Sequence, residues 1–243
     1  MNCLYEKSKI SFAIAWIVIY VVGMSICDSI SESLGVEKSV TLALAAVLSI
    51  FLFLWVKKNH LETRFGLCGS QKRAADLLFY LPLIIVVCTR LTGGLSVENA
   101  ADALIQFVFM LFVGFLEELI FRGLLFKAMA EDGIKSAVVV SAVTFGIGHV
   151  VNLMNGSGQD LTSTVWQIVL AVIFGFCMVF VFYYGGSLWP CIITHGLYNA
   201  LGMVTKENSL RDGHVTVVFV IQLIVLAGYA LYLLSRLKKE NKL

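Results

Sequence analysis

Apolar runs separated by short polar segments recur along the whole chain. Runs of about 17–25 mainly apolar residues are what a helix needs to cross a hydrocarbon core of roughly 30 Å. Eight such runs predict helices over approximately Ile10–Cys27, Ser39–Val56, Ala75–Leu91, Ala101–Met129, Lys135–Leu153, Thr164–Tyr184, Leu188–Val204 and Val215–Leu237, the fourth long and the seventh short. No internal repeat, low-complexity tract or separate soluble region interrupts the pattern. It predicts an all-α integral membrane protein of about eight transmembrane helices, folded as a single membrane domain over residues 1–243.

Composition sharpens this. Of 243 residues 59% are hydrophobic and 14% charged, far from a soluble average, and a net charge of +2 without a basic patch gives no reason to expect nucleic acid. The expected partner is membrane lipid. With the N-terminus inside, the inner segments carry Lys7, Lys9, Lys57, Lys58, Arg64, Lys72, Arg73, Lys127, Lys135, Arg236, Lys238, Lys239 and Lys242, against Lys38, Arg90, Lys206 and Arg211 outside. That bias predicts a multi-pass protein of the cell membrane with both termini cytoplasmic. Lys7 and Lys9 before an apolar run resemble a signal peptide, but no small-residue cleavage pattern follows, so the run is expected to stay as a first span. Leu61–Asp76 reads equally as an interfacial amphipathic segment or as a basic loop anchoring two helix ends. The six cysteines are scattered without a C-x-x-C pair and are expected to be buried thiols.

Against this background a few polar residues stand out. Glu117, Glu118 and Arg122 sit within an apolar helix, where each charge costs roughly 2.5–3.5 kcal/mol on insertion scales and needs a partner or a wet cavity. Residues four apart share a helix face, so Glu118 and Arg122 should pair, while Glu117 points about 100° away and is free to work. The next helix carries Phe145 and His149 on one face, with Gly146 and Gly148 thinning it for a close neighbour. The seventh starts at Pro190 and puts His195 and Asn199 one turn apart. At about 1.5 Å per residue from the loop near Gly133, Glu117 and His149 should lie level, each about 24 Å along its helix. His195, about 14 Å from Gly185–Gly186, reaches them only if that turn dips into the interior.

These groups suit amide hydrolysis, which needs a base for water and donors for the developing oxyanion. No Ser or Cys nucleophile shares a face with a His in these motifs, and Cys191, four residues before His195, reads as a packed thiol. Glu117, His149 and His195 could also supply the three protein ligands of an open site for zinc or another divalent metal. A metal-free glutamate mechanism uses the same residues. No His-Glu-x-x-His helix is present, and both mechanisms stay open.

Glu-Glu-x-x-x-Arg at 117–122, Phe-x-x-x-His at 145–149 and His-x-x-x-Asn at 195–199, with Ser-Leu-Trp-Pro leading into the last, resemble the CPBP or Abi family of CAAX prenyl proteases and bacteriocin-processing intramembrane proteases. The resemblance covers roughly Ala101–Met203 as a catalytic core. It implies a peptidase with its site in the bilayer, reached from the cytoplasmic side. Glu117 would be the general base, assisted by His149, with His195 and Asn199 stabilising the oxyanion and Glu118, Arg122 and Phe145 in support. The implied substrate is a membrane-associated protein or peptide, prenylated if the CAAX branch applies. A non-catalytic immunity or scaffold protein on the same fold is the main alternative. A small proton or ion transporter is a weaker one, since no internal repeat is present.

Overall fold

A computed structural model describes residues 1–73, 76–153, 160–205 and 213–243. Among these residues the chain is helical apart from its turns. After a short α1 (Asn2–Lys7) come α2 (Lys9–Ser33), α3 (Ser39–Lys58), α4 (Leu77–Cys88) and a 3-10 turn over Thr89–Gly93. Then follow α5 (Ala100–Glu118), a π-helical stretch over Leu119–Phe126, α6 (Lys127–Met129) and α7 (Ile134–Gly148), which runs on as a 3-10 turn over His149–Leu153. The chain closes with α8 (Leu161–Gly185), α9 (Trp189–Met203) and α10 (His214–Lys239).

Every one of the eight apolar runs contains a helix, and among the described residues six of these helices are long and apolar enough to cross a membrane. α4 and α9 have 12 and 15 residues, or about 18 and 22 Å at 1.5 Å per residue, short of a hydrocarbon core of roughly 30 Å. Lys206, Arg211 and the Ala75 start of the third run lie outside the described residues.

Side-chain pattern explains the layering. On α2 the residues Phe12, Trp16, Tyr20 and Met24, four apart, form a buried stripe, while Ile14, Val18, Val22 and Ile26 form an exposed apolar one. An apolar face turned outward is stable only against lipid. α5 occupies the middle, packing on α9 and α3, and its π-helical continuation lies between α2 and α7. A π-helix bonds i to i+5 and so disturbs the carbonyl ladder. Phe121 O, within that stretch, instead accepts from the buried Ser141 Oγ of α7 at 2.9 Å.

One end of the bundle gathers the chain segments expected on the inner side. Lys9 Nζ meets Glu131 Oε1 at 2.7 Å, and Arg64 pairs with the same carboxylate. Tyr184 donates to Glu240 Oε1 at 2.8 Å. The segment 61–73 is not an amphipathic helix. It is an irregular strap with Phe65 and Leu67 buried, and it holds the α8–α9 turn from beneath. Leu188 N donates to Gly66 O at 2.7 Å, Gln71 N to Gly185 O at 2.8 Å and Ser187 Oγ to Cys68 O at 2.7 Å. Gly66 has φ +73°, and a Cβ there would lie 2.2 Å from Phe182, so only glycine fits. Ser187 and Leu188 are buried in consequence: the turn does dip inward.

Candidate functional site

The drawn-in turn delivers His195 to the two glutamates. α5 and α9 cross with no side chain between them, since a Cβ on Gly114 would lie 2.5 Å from Gly196 N. This close backbone approach puts His195 Nδ1 at 2.9 Å from Glu118 Oε1 and His195 Nε2 at 3.5 Å from Glu117 Oε2. A carboxylate only accepts, so Nδ1 carries the proton and Nε2 is the nitrogen turned towards Glu117. Glu117 and His149 line one cavity, and the close contact to Glu117 on the histidine side comes from His195.

Glu118 and Arg122 pair as their spacing predicted, with Arg122 Nη1 at 3.2 Å from Glu118 Oε1, and both side chains are fully buried. The guanidinium makes no directed hydrogen bond there, so the contact is a charge pair only. Its open face is covered by Phe145, whose ring centre is 4.0 Å from Arg122 Cζ. Such a cation–π contact is worth about 2 kcal/mol or more when desolvated. Phe145 also meets His195 and His149 edge-on, with ring centres 5.6 and 5.3 Å away. It is thus the shared spacer between the guanidinium and both imidazoles. His149 Nδ1 lies 3.1 Å from Phe145 O, which can only accept, so Nδ1 is the donor and Nε2 is the acceptor nitrogen when the ring is neutral.

Two cavities share this wall. The larger, about 210 Å³, runs from Phe121 and Phe145 past Glu117, His149 and Asn199 to Asp28 and Lys38 at the α2–α3 turn. With one water taking roughly 30 Å³ of liquid volume, it can hold several. The smaller, about 90 Å³, is lined by His195, Asn199, His149 and Arg90. Of the four residues expected to act, Glu117 borders the larger cavity, His195 the smaller, and His149 and Asn199 border both.

Tyr20 was not foreseen. Its hydroxyl donates to Glu117 Oε1 at 2.6 Å, a charge-assisted bond from a helix that carries no motif. The only trace in the sequence is a polar-tipped aromatic in the Phe12, Trp16, Tyr20, Met24 stripe. The donor set also bears on a metal. Among the described residues no group of three His, Cys, Asp or Glu side chains converges as metal ligands. Glu118 Oε1 is taken by Arg122 and His195, and Glu117 Oε1 by Tyr20. Glu117, His149 and His195 thus do not fit a three-ligand metal centre. The six cysteines are all unpaired, but only Cys177 and Cys191 are buried; Cys3 and Cys88 are exposed, and Cys27 and Cys68 partly so.

Fold and site together define a multi-pass helical membrane protein with a cluster of Glu, His and Arg side chains between its helices. Residues 99–201 match the family described as Rce1-like, type II CAAX prenyl endopeptidase Rce1-like, so this stretch of the chain is similar to that family. The match spans all three motifs, at 117–122, 145–149 and 195–199. No curated protein and no solved structure matches the chain. Tyr20 and Arg90 lie outside the matched stretch.

Proposed function

We propose that the protein is an intramembrane endopeptidase that hydrolyses a peptide bond near the end of a membrane-associated substrate, with Glu117 as general base. The observation that carries this is the Glu117 carboxylate, fixed by Tyr20 at 2.6 Å and facing His195 at 3.5 Å, on the wall of a cavity that His149 and Asn199 also line. Glu117 takes a proton from a water while the water oxygen bonds to the scissile carbonyl carbon. The oxyanion is met by the Asn199 side-chain amide and by His195, whose Nε2 donates a proton taken up from solvent in the cavity and gives it back when the oxyanion collapses, while Glu118 holds Nδ1. Glu117 then passes its proton to the leaving amine as the C–N bond breaks. His149, with Nε2 free, assists the water.

Substrate class follows from the family: a lipid-modified peptide entering from the bilayer. Purified protein in lipid nanodiscs, given a farnesylated C-terminal peptide and its unmodified twin, should release a short C-terminal fragment from the farnesylated one. Mass spectrometry of the products identifies the bond cut. Equal cleavage of both would remove the prenyl requirement and favour general peptide maturation. No cleavage of either, with biological activity retained, would favour a non-catalytic immunity role.

A further inference from the structure

Arg90 is a cation that the mechanism above does not use. It lies in the turn Thr89–Gly93 at the end of α4 and rests flat on α9, with its Cζ 3.9 Å from the centre of the Tyr198 ring. Its guanidinium also lies over Gly202, where a side chain would meet Arg90 Cζ at 3.5 Å. The platform beneath it is braced. Tyr198 donates to Gln222 Oε1 at 3.0 Å, Gln222 Nε2 donates to Thr89 Oγ1 at 2.7 Å, and Thr89 Oγ1 donates to Val86 O at 2.6 Å.

Within the described residues the guanidinium is met by Tyr198 and not by a counter-charge. Among the described residues no carboxylate pairs with Arg90, and its Nε is buried without a hydrogen-bond partner. A guanidinium cannot escape by losing its proton. It lines the smaller cavity with His149, His195 and Asn199; Gln167 and Tyr198 add polar groups to the wall, and Phe145, Leu170, Ala171, Phe174 and Leu226 make up its apolar part. Arg is suited to planar, two-point recognition of a carboxylate. A chain running onward past those apolar walls would leave backbone N–H and C=O groups unpaired, so the carboxylate that fits is a chain end.

We propose that Arg90 binds the free C-terminal carboxylate of the substrate, on the leaving side of the scissile bond. The proposal rests on the reading of this cavity as a peptidase site. It makes the protein a reader of chain ends, with substrate length set by the reach from Arg90 to Glu117.

The test uses pairs of lipidated fluorescent peptides differing only in a C-terminal acid or amide. Binding is read by anisotropy on full-length Glu117→Gln protein in nanodiscs. The acid form should bind about tenfold more tightly than the amide, a difference of about 1.4 kcal/mol. Adding Arg90→Gln should bring the two to near equality by weakening the acid alone, and Arg90→Lys should keep part of the preference. Equal binding of acid and amide, or no binding of the acid, overturns the proposal. So does an equal loss for both peptides in Arg90→Gln, which would mark Arg90 as a brace for Tyr198. Cleavage by the Glu117 protein separates the two readings. An acid preference in binding with no cleavage sinks the peptidase and spares the Arg90 site; cleavage of both peptides alike does the reverse.

Discussion

Gly114→Ala is the sharpest structural test of how the site is assembled. A Cβ at this position would lie 2.5 Å from Gly196 N, 2.6 Å from Gly196 Cα and 3.3 Å from His195 C, all backbone atoms of α9. Ordinary contact begins at about 3.4 Å, so α5 and α9 must separate by roughly 1 Å, since no rotamer change can relieve a backbone clash. That shift would stretch the 2.9 Å bond between His195 and Glu118 beyond hydrogen-bond range and loosen the 3.5 Å approach to Glu117. A misplacement of about 1 Å can cost on the order of 100-fold in rate, and overpacking of this kind about 1–3 kcal/mol in stability. Turnover of the farnesylated peptide and thermal unfolding in nanodiscs measure the two effects. Gly228→Ala on α10, where a Cβ meets nothing within 4 Å, is the matched control and should keep full activity. Gly114→Ala with unchanged turnover would refute the claim that the α5–α9 backbone contact sets the catalytic geometry.

Three further outcomes follow from the same structure. Glu118→Gln leaves Arg122 fully buried without its counter-charge and should cost about 3–5 kcal/mol, seen as a large drop in melting temperature. The hydrogen bond from Lys9, and then that from Arg64, hold the Glu131 carboxyl below the usual carboxylate range. Its contribution is therefore full above the unfolded pKa and fades as pH falls through the lower folded value; with the side chain 44% exposed it is at most about 1 kcal/mol. Melting curves of wild type and Glu131→Gln should differ at pH 7 and converge at strongly acidic pH. With the termini cytoplasmic, as the Lys and Arg bias predicts, the end of the main cavity at Asp28 and Lys38 lies on the extracytoplasmic side, opposite to the side the family resemblance implies. In a cysteine-free background, Val36→Cys should then react with an impermeant maleimide on intact cells, and Thr63→Cys only after permeabilisation; the reverse pattern would place the termini outside.

The motif residues were legible because their chemistry clashes with an apolar helix, and i,i+4 spacing was enough to pair Glu118 with Arg122 across one turn. Hydrophobic length found the long helices but not the short α1, and an apolar window cannot see that α4 stops at Cys88 or that α9 has only 15 residues. The approach of His195 depended on backbone bonds from Gly66, Cys68 and Gln71 to the α8–α9 turn, over a hundred residues away in the chain. Pairings of that kind leave no periodic trace. The π-helical stretch after Glu118 is likewise silent in composition. Of the two glycines beside His149, Gly146 does mark a close neighbour, since a Cβ there would lie 2.9 Å from Val172 N, whereas a Cβ on Gly148 would meet nothing within 4 Å.

The central claim is that the Glu117 carboxylate, and not merely its helix, performs the hydrolysis. Glu117→Gln keeps the size of the side chain and an oxygen that can accept from Tyr20, but it cannot take a proton from water. Purified in nanodiscs and melting close to wild type, this variant should show no fragment release above background from a peptide the wild type cuts. Wild-type turnover by a folded Glu117→Gln protein would contradict the account.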